Sequence, residues 1–206
     1  MIAVGGYDNS TMGEDMELVV RLHEFSRMNR KPYKIDFAQD AICWSQTPEK
    51  LSELGKQRKR WQRGLFQCMW GHRKMLANPR YGAVGLLSYI YFLFYELLSP
   101  FIKLFGILTM VLSVMIDMLN VKFMLVFLAC YALYGILLTL TAYFSRIYTI
   151  DQRFSFRELI LAITACFFET TFLRFYLAFV RVTAFVGYKK NKLNWGKLER
   201  KKMNGI

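Results

Sequence analysis

Residues 81–145 carry almost no charge, and any fold available to this chain has to accommodate them. Only Glu96, Lys103, Asp117 and Lys122 interrupt the stretch, whereas the net charge of +13 crowds into residues 21–80 and 146–206. Residues 121–145 are long enough to cross a hydrocarbon core of roughly 30 Å. Residues 84–117 are apolar for longer, broken by Glu96, Pro100 and Lys103. Between the two lies Asp117-Met118-Leu119-Asn120, without Lys or Arg. Arg73, Lys74 and Arg80 precede the pair and Arg146, Arg153 and Arg157 follow it. That asymmetry predicts a two-crossing hairpin with both ends on the cytosolic side. Residues 159–186 are apolar but carry Glu169, Arg174 and Arg181, which are expensive in lipid, and read as an amphipathic helix at the cytosolic interface. A four-crossing version also returns the basic tail 189–202 to the cytosol; it splits 84–117 at Pro100 and counts 159–186 as a span.

Hydrophobic residues make up 54% and aromatics 17% of the chain, above the soluble average. The Lys and Arg residues flank apolar segments rather than forming a stripe with exposed aromatics, which argues for anionic lipid and against nucleic acid as the basic surface's partner. Cys43, Cys68, Cys130 and Cys166 have no metal-ligand spacing, and His23 and His72 form no sequence cluster. The first residues lack a basic n-region and a long apolar run, so they are not a signal peptide. They read as the end of a strand entering a Gly-rich loop, which suggests that the chain starts in mid-domain.

Gly5-Gly6-Tyr7-Asp8-Asn9-Ser10 is turn chemistry. Glu14 opens a helical pattern through Met16, Val19, Val20, Leu22 and Phe25 to about Asn29, ended by Lys31-Pro32. Residues 33–44, with Ala41-Ile42-Cys43-Trp44 at their end, look strand-like. Thr47-Pro48 reads as an N-cap with proline in the first helical position, opening a helix to about Leu76.

Two short motifs could carry chemistry. Gln57, Arg60 and Trp61 in Gln57-Arg58-Lys59-Arg60-Trp61 fall at i, i+3 and i+4, on one helical face. An indole offers a flat surface to a pyranose ring, and a guanidinium grips phosphate oxygens in two-point fashion. The rival reading makes Trp61 a membrane-interface anchor and the basic residues contacts for headgroups. Gly13-Glu14-Asp15 places two carboxylates at a helix start, where one could accept a proton from an attacking hydroxyl or merely complement the helix dipole.

In order and at compatible spacing, Gly5-Gly6-Tyr7-Asp8, Gly13-Glu14-Asp15, Ala41-Ile42-Cys43-Trp44, Thr47-Pro48-Glu49 and Gln57-Arg58-Lys59-Arg60-Trp61 resemble the C-terminal half of inverting family 2 glycosyltransferases. That group includes the cellulose, chitin, hyaluronan and poly-N-acetylglucosamine synthases. The resemblance implies an α/β fragment, the C-terminal part of a GT-A glycosyltransferase domain, over residues 1–80, followed by an α-helical transmembrane region. In that scheme 81–146 form the membrane hairpin, and 147–206 the interfacial helix and basic tail. It further implies Asp15 as the general base, with Glu14 shaping its site. Trp61 would stack on the acceptor sugar, Gln57 and Arg60 would contact the nucleotide diphosphate, and Gly5, Gly6 and Tyr7 would line the acceptor side. The expected partners are a UDP-sugar donor, a glycan acceptor and membrane lipids, with no nucleic acid. Magnesium or manganese would serve as cofactor, its Asp-x-Asp ligands lying in preceding sequence and none in this chain. On that expectation the isolated chain is inactive. The Phe-x-Val-Thr-x-Lys loop of cellulose synthases is missing, Phe179-Val180-Arg181-Val182-Thr183 being a distant echo of it, which disfavours cellulose as product. The non-enzymatic alternatives are a membrane-anchored scaffold and a transport component using Glu96 and Lys103.

Overall fold

Helix α1 (Glu14–Met28) begins where the acidic pattern predicts, with Glu14, Asp15 and Glu17 in its first turn against the positive end of the helix dipole. A computed structural model describes residues 4–31, 33–36, 38, 41, 45–150 and 155–188, the side chains at 143 and 146–150 excepted. Every regular element among the described residues is helical. No strand is present among them, so the α/β expectation is not met there. Residues 33–36 form no regular element, and Ile42, Cys43 and Trp44 of the expected strand lie outside the described residues, as does the tail 189–202.

Helix α2 (Leu51–Gly71) starts three residues later than the Thr47-Pro48 signal predicts. Lys50 stands at its N-cap in extended backbone without a side-chain cap. Its carbonyl accepts from the amides of Glu53 and Leu54, at 3.1 and 3.0 Å. The helix also stops short of Leu76: His72 leaves helical geometry, and a 3-10 turn, Arg73–Met75, follows. Helix α3 (Val84–Leu97) alternates π and α turns and meets α4 (Ser99–Met115) at a 48° bend. Helices α5 (Val121–Ile150) and α6 (Phe156–Phe185) complete the described chain. A π turn, Glu169–Leu173, sits inside α6.

The chain divides into two units, one of Met1–Pro100 with Val180–Ile206 and one of Phe101–Phe179. In the first, Leu65, Met69, Met75, Tyr81, Tyr89 and Leu97 form the buried core. Backbone packs closely there: a Cβ on Gly85 would stand 2.6 Å from the Met75 carbonyl oxygen. The Tyr89 hydroxyl donates to the Met69 carbonyl, and the Arg63 Nε donates to the Ala184 carbonyl at 2.8 Å. In the second unit α5 and α6 approach at small residues. A Cβ on Gly135 would lie 3.0 Å from Thr170 Oγ1, and Cys166 Sγ donates to Thr139 Oγ1 at 2.8 Å. Small side chains at a helix crossing are the usual means of close packing in lipid. Arg174, counted from sequence as a cost, donates to the Tyr131 hydroxyl at 2.7 Å.

Two helical stretches are long and apolar enough to cross a membrane, Val121–Ala142 and Phe156–Phe185, and the bent α3–α4 pair would make a third if it is one span. Only 6% of the most apolar part of Val121–Ala142 and 11% of that of Phe156–Phe185 is buried within the protein. Large apolar side chains such as Phe123, Phe127, Leu137 and Phe167 therefore stand exposed. Helix α6 thus has the length and composition of a span, where the three charges suggested an interfacial helix. Its Arg174 and Arg181 are both hydrogen-bonded, which lowers the cost that weighed against that reading.

Candidate functional site

The amino end of α1 and the middle of α2 meet at two glycines. A Cβ on Gly64 would sit 2.8 Å from the Gly13 nitrogen and 3.0 Å from its Cα. No other residue permits so close an approach of backbone to backbone. Gln67, one turn further along α2, secures the contact: its Oε1 accepts from the Met12 amide at 2.8 Å and from the Thr11 hydroxyl at 3.2 Å. Gly13-Glu14-Asp15 is thereby fixed against the helix carrying Gln57-Arg58-Lys59-Arg60-Trp61.

A cavity of about 420 Å³ opens beside this contact, lined by Glu14 and Asp15 on one side and by Arg58, Arg60, Trp61 and Gln62 on the other. Asp15 is exposed and Glu14 half-buried. Trp61 is 49% exposed, and the Arg58 guanidinium lies 4.7 Å from its ring centroid. Arg58, Trp61, Gln62 and Leu65 follow i, i+3, i+4, i+7 spacing, and Arg60 and Trp61 of the expected Gln57-Arg60-Trp61 face line the cavity with them. Packing of Gln62, Leu65 and Met69 into the protein and of Gly64 onto Gly13 sets the rotation of α2. Gln57 is half-buried and is not part of the cavity lining.

Gly5, Gly6 and Tyr7 are not part of it either. Gly5 and Gly6 have φ of 83° and 72°, the left-handed geometry that their turn required. Arg21 holds that loop, donating to the Val4 carbonyl at 2.7 Å and the Gly6 carbonyl at 2.6 Å. Tyr7 points to solvent, 56% exposed. Hydrogen bonds from Ser10 hold the Asp8 carboxyl below the usual carboxylate range, so its oxygens are engaged in the turn.

Sequence reasoning missed three residues that build the site. Gln62 is 1% exposed; its Nε2 donates to the Leu97 carbonyl at 3.0 Å and its Oε1 accepts from Arg181 Nε at 2.6 Å. Arg181 reaches the same cavity and also pairs with Glu96, 3.5 Å from its carboxylate. Glu96 therefore has a partner more than eighty residues away in sequence, where spacing alone offered Lys103 across Pro100. Third, His72 sits between two carboxylates, Glu24 at Nδ1 and Glu17 at Nε2 (3.1 Å), tying the end of α2 to α1. Glu17 also bonds Arg21 at 2.9 Å, linking this clamp to the Gly5-Gly6 loop.

The site offers proton-accepting carboxylates, guanidinium groups and an aromatic face, but no thiolate. Cys68, 1% exposed, has its thiol pushed up to about 12 by burial first and by the nearby Glu17 and Asp15 carboxylates second. Among the described residues no three His, Cys, Asp or Glu side chains converge to hold a metal. The Glu17 and Glu24 carboxylates lie on opposite ring nitrogens of His72, and those of the cavity face guanidinium groups. The described residues do not fit magnesium or manganese.

A family model described as glycosyl transferase family group 2 matches residues 2–187. The chain belongs to that family. The chain is 31% identical over 105 residues to "Probable glycosyltransferase YdaM" of Bacillus subtilis, covering 51% of this chain and 22% of that relative. It is 33% identical over 75 residues to "Poly-beta-1,6-N-acetyl-D-glucosamine synthase" of Staphylococcus epidermidis, covering 36% of this chain and 15% of that relative. The chain thus spans between about a seventh and about a fifth of the length of the curated relatives it matches. No solved structure matches it.

Proposed function

We propose that this chain supplies the acceptor-side wall of an inverting, membrane-bound glycosyltransferase that moves a sugar from a UDP-sugar onto a growing polysaccharide or another glycan or lipid acceptor. The observation that carries this reading is the cavity in which Glu14 and Asp15 face Arg58, Arg60 and Trp61 across the Gly13–Gly64 contact. Asp15, the more exposed carboxylate, takes the proton of the acceptor hydroxyl as its oxygen attacks the anomeric carbon. The bond from that carbon to the diphosphate breaks, and its electron pair leaves with the UDP. Glu14 shapes the base's surroundings, and Trp61 presents its ring to the acceptor sugar. Arg60 offsets the leaving group's charge, a role that the position of Gln57 outside the cavity lining leaves to the arginine.

The two candidate spans support a bilayer setting. The name of the staphylococcal relative makes UDP-N-acetylglucosamine the first donor to test. Membranes carrying the gene product, given radiolabelled UDP-N-acetylglucosamine and a panel of other UDP-sugars, should form a glycosidic product of anomeric configuration opposite to the donor's. A retained configuration would contradict the direct displacement, and a lack of turnover with every UDP-sugar would remove the donor assignment.

A further inference from the structure

Helix α1 ends in a cationic pocket that has no part in the transfer cavity. Arg27, Arg30 and Lys31 line it from the helix end and Arg80 from the turn before α3, around an open volume of about 470 Å³ completed by Ser26 and Tyr33. At about 1.5 Å per residue the pocket stands roughly 20 Å along α1 from Asp15. All four cations are exposed, and none forms an ion pair among the described residues: Glu24 is taken by His72 and Asp36 by Lys34. The negative end of the helix dipole favours basic residues on α1 itself. It does not account for Arg80, which comes from a separate turn, Pro79–Tyr81.

The backbone is strained to build it. The Arg30 amide donates to the Arg27 carbonyl at 3.2 Å and the Lys31 amide to the Ser26 carbonyl at 2.9 Å, the helix-ending turn whose left-handed position usually holds glycine. Arg30 takes that position at φ 51°, a conformation costly for a residue with a Cβ; such strain is kept where the side chain is used. Arg27 is held ready. Its Nε donates to the Tyr33 hydroxyl at 3.2 Å, and its Nη1 lies 3.5 Å from where a Cβ on Gly82 would stand. Burial first and Arg27 second hold His23 toward its neutral form, so its Nδ1 accepts from the Tyr33 hydroxyl at 2.7 Å. The terminal nitrogens of Arg27 make no hydrogen bond to a described residue. Tyr33, the aromatic residue of the lining, packs against Arg27 and His23, so the pocket matches a phosphate and not a nucleobase. The adjoining α3 leaves Leu87, Tyr91 and Tyr95 exposed, the two tyrosine rings stacked at 5.1 Å. Apolar surface with tyrosines beside a cluster of cations is the chemistry of a lipid headgroup layer. We propose that this pocket holds the phosphate of an acidic phospholipid, with Arg27 and Arg80 gripping its oxygens and Arg30 and Lys31 adding charge. The site rests on the bilayer setting and not on the transfer chemistry.

The test titrates the gene product, in a neutral detergent, with short-chain phosphatidylglycerol, with phosphatidylcholine of the same chains and with glycerol 3-phosphate, and records the unfolding midpoint. Arg27→Gln and Arg80→Gln should each weaken phosphatidylglycerol about fivefold, the usual effect of one basic residue near acidic lipid, and leave phosphatidylcholine unchanged. Lys56→Gln, which removes an exposed charge outside the pocket, should change neither. Arg30→Gly separates binding from folding: it relieves the left-handed strain, so the midpoint should rise while phosphatidylglycerol affinity falls. Unchanged phosphatidylglycerol affinity in Arg27→Gln and Arg80→Gln would overturn the site. An equal loss in Lys56→Gln would overturn it in favour of diffuse surface charge. Glycerol 3-phosphate bound as tightly as the lipid would overturn the lipid as occupant, and an Arg30→Gly protein that gains stability and keeps its affinity would overturn the reading of the strained turn. Phosphatidylglycerol binding through these arginines stands even if no sugar is transferred, so this test and that of the transfer reading fail separately.

Discussion

Replacing Gly64 by alanine should disable the site while leaving the protein folded. The added methyl would stand 2.8 Å from the Gly13 nitrogen, 3.0 Å from its Cα and 3.1 Å from the Met12 carbonyl carbon. Ordinary carbon contacts lie at roughly 3.5–4.0 Å, so the start of α1 must retreat from α2 by about half to one ångström. All three atoms are backbone, and no rotamer change relieves the clash. Overpacking of this size costs about 1–3 kcal/mol, and alanine returns about 1 kcal/mol of helix propensity over glycine. The net loss of stability is thus small, between about 0 and 2 kcal/mol. Activity is more sensitive: a misplacement of about 1 Å is enough for a loss on the order of a hundredfold, and here Glu14 and Asp15 move directly. The assay is kcat for sugar transfer alongside the unfolding midpoint, with Gly71→Ala as control. Gly71 lies on the same helix, and a Cβ there meets nothing within 4 Å. Transfer by Gly64→Ala within about twofold of the Gly71→Ala rate would refute the idea that this contact sets the position of the carboxylates.

Two further outcomes follow from the buried groups beside the cavity. Gln62→Leu leaves Arg181 Nε and the Leu97 carbonyl without their partner and should cost about 3 kcal/mol in denaturant unfolding; a loss under about 0.5 kcal/mol would show that water or other groups replace it. Cys68 stays protonated in the folded chain up to about 12, while an unfolded thiol ionises near 9.0. The unfolded state therefore sheds a proton that the folded state keeps, so stability is unaffected below pH 9.0 and falls by about 1.4 kcal/mol per pH unit above it. Cys68→Ala should lose that increment of the alkaline slope, and an unchanged slope would count against the buried thiol.

Helix α1 was legible because its apolar period and its acidic first turn point the same way, and the Gly5-Gly6 turn because only glycine takes that φ freely. The start of α2 was not: Thr47-Pro48 is a good local signal, but the helix begins at Leu51. Arg60 and Trp61 of the expected α2 face line the cavity and Gln57 does not; that face shares its stripe with Gly64, and the stripe meets α1 through a glycine with no side chain to announce it. A glycine three residues beyond Trp61 in mid-helix, where it costs propensity, was the available signal. Gln62, Arg181 and Glu96 could not be grouped from sequence, since their contacts join positions 62, 96 and 181. The same long-range pairing makes the charges of α6 tolerable in a helix with the composition of a span.

The most direct test of the account is Asp15→Asn in the gene product, measured for sugar transfer and for UDP affinity on the same preparation. The account predicts that transfer falls by about 10²–10⁴-fold, the usual contribution of a proton-accepting side chain, while UDP affinity stays within about twofold of the wild type. Transfer that survives the substitution, or UDP affinity lost in step with it, would contradict the role of Asp15 as the base at the acceptor wall.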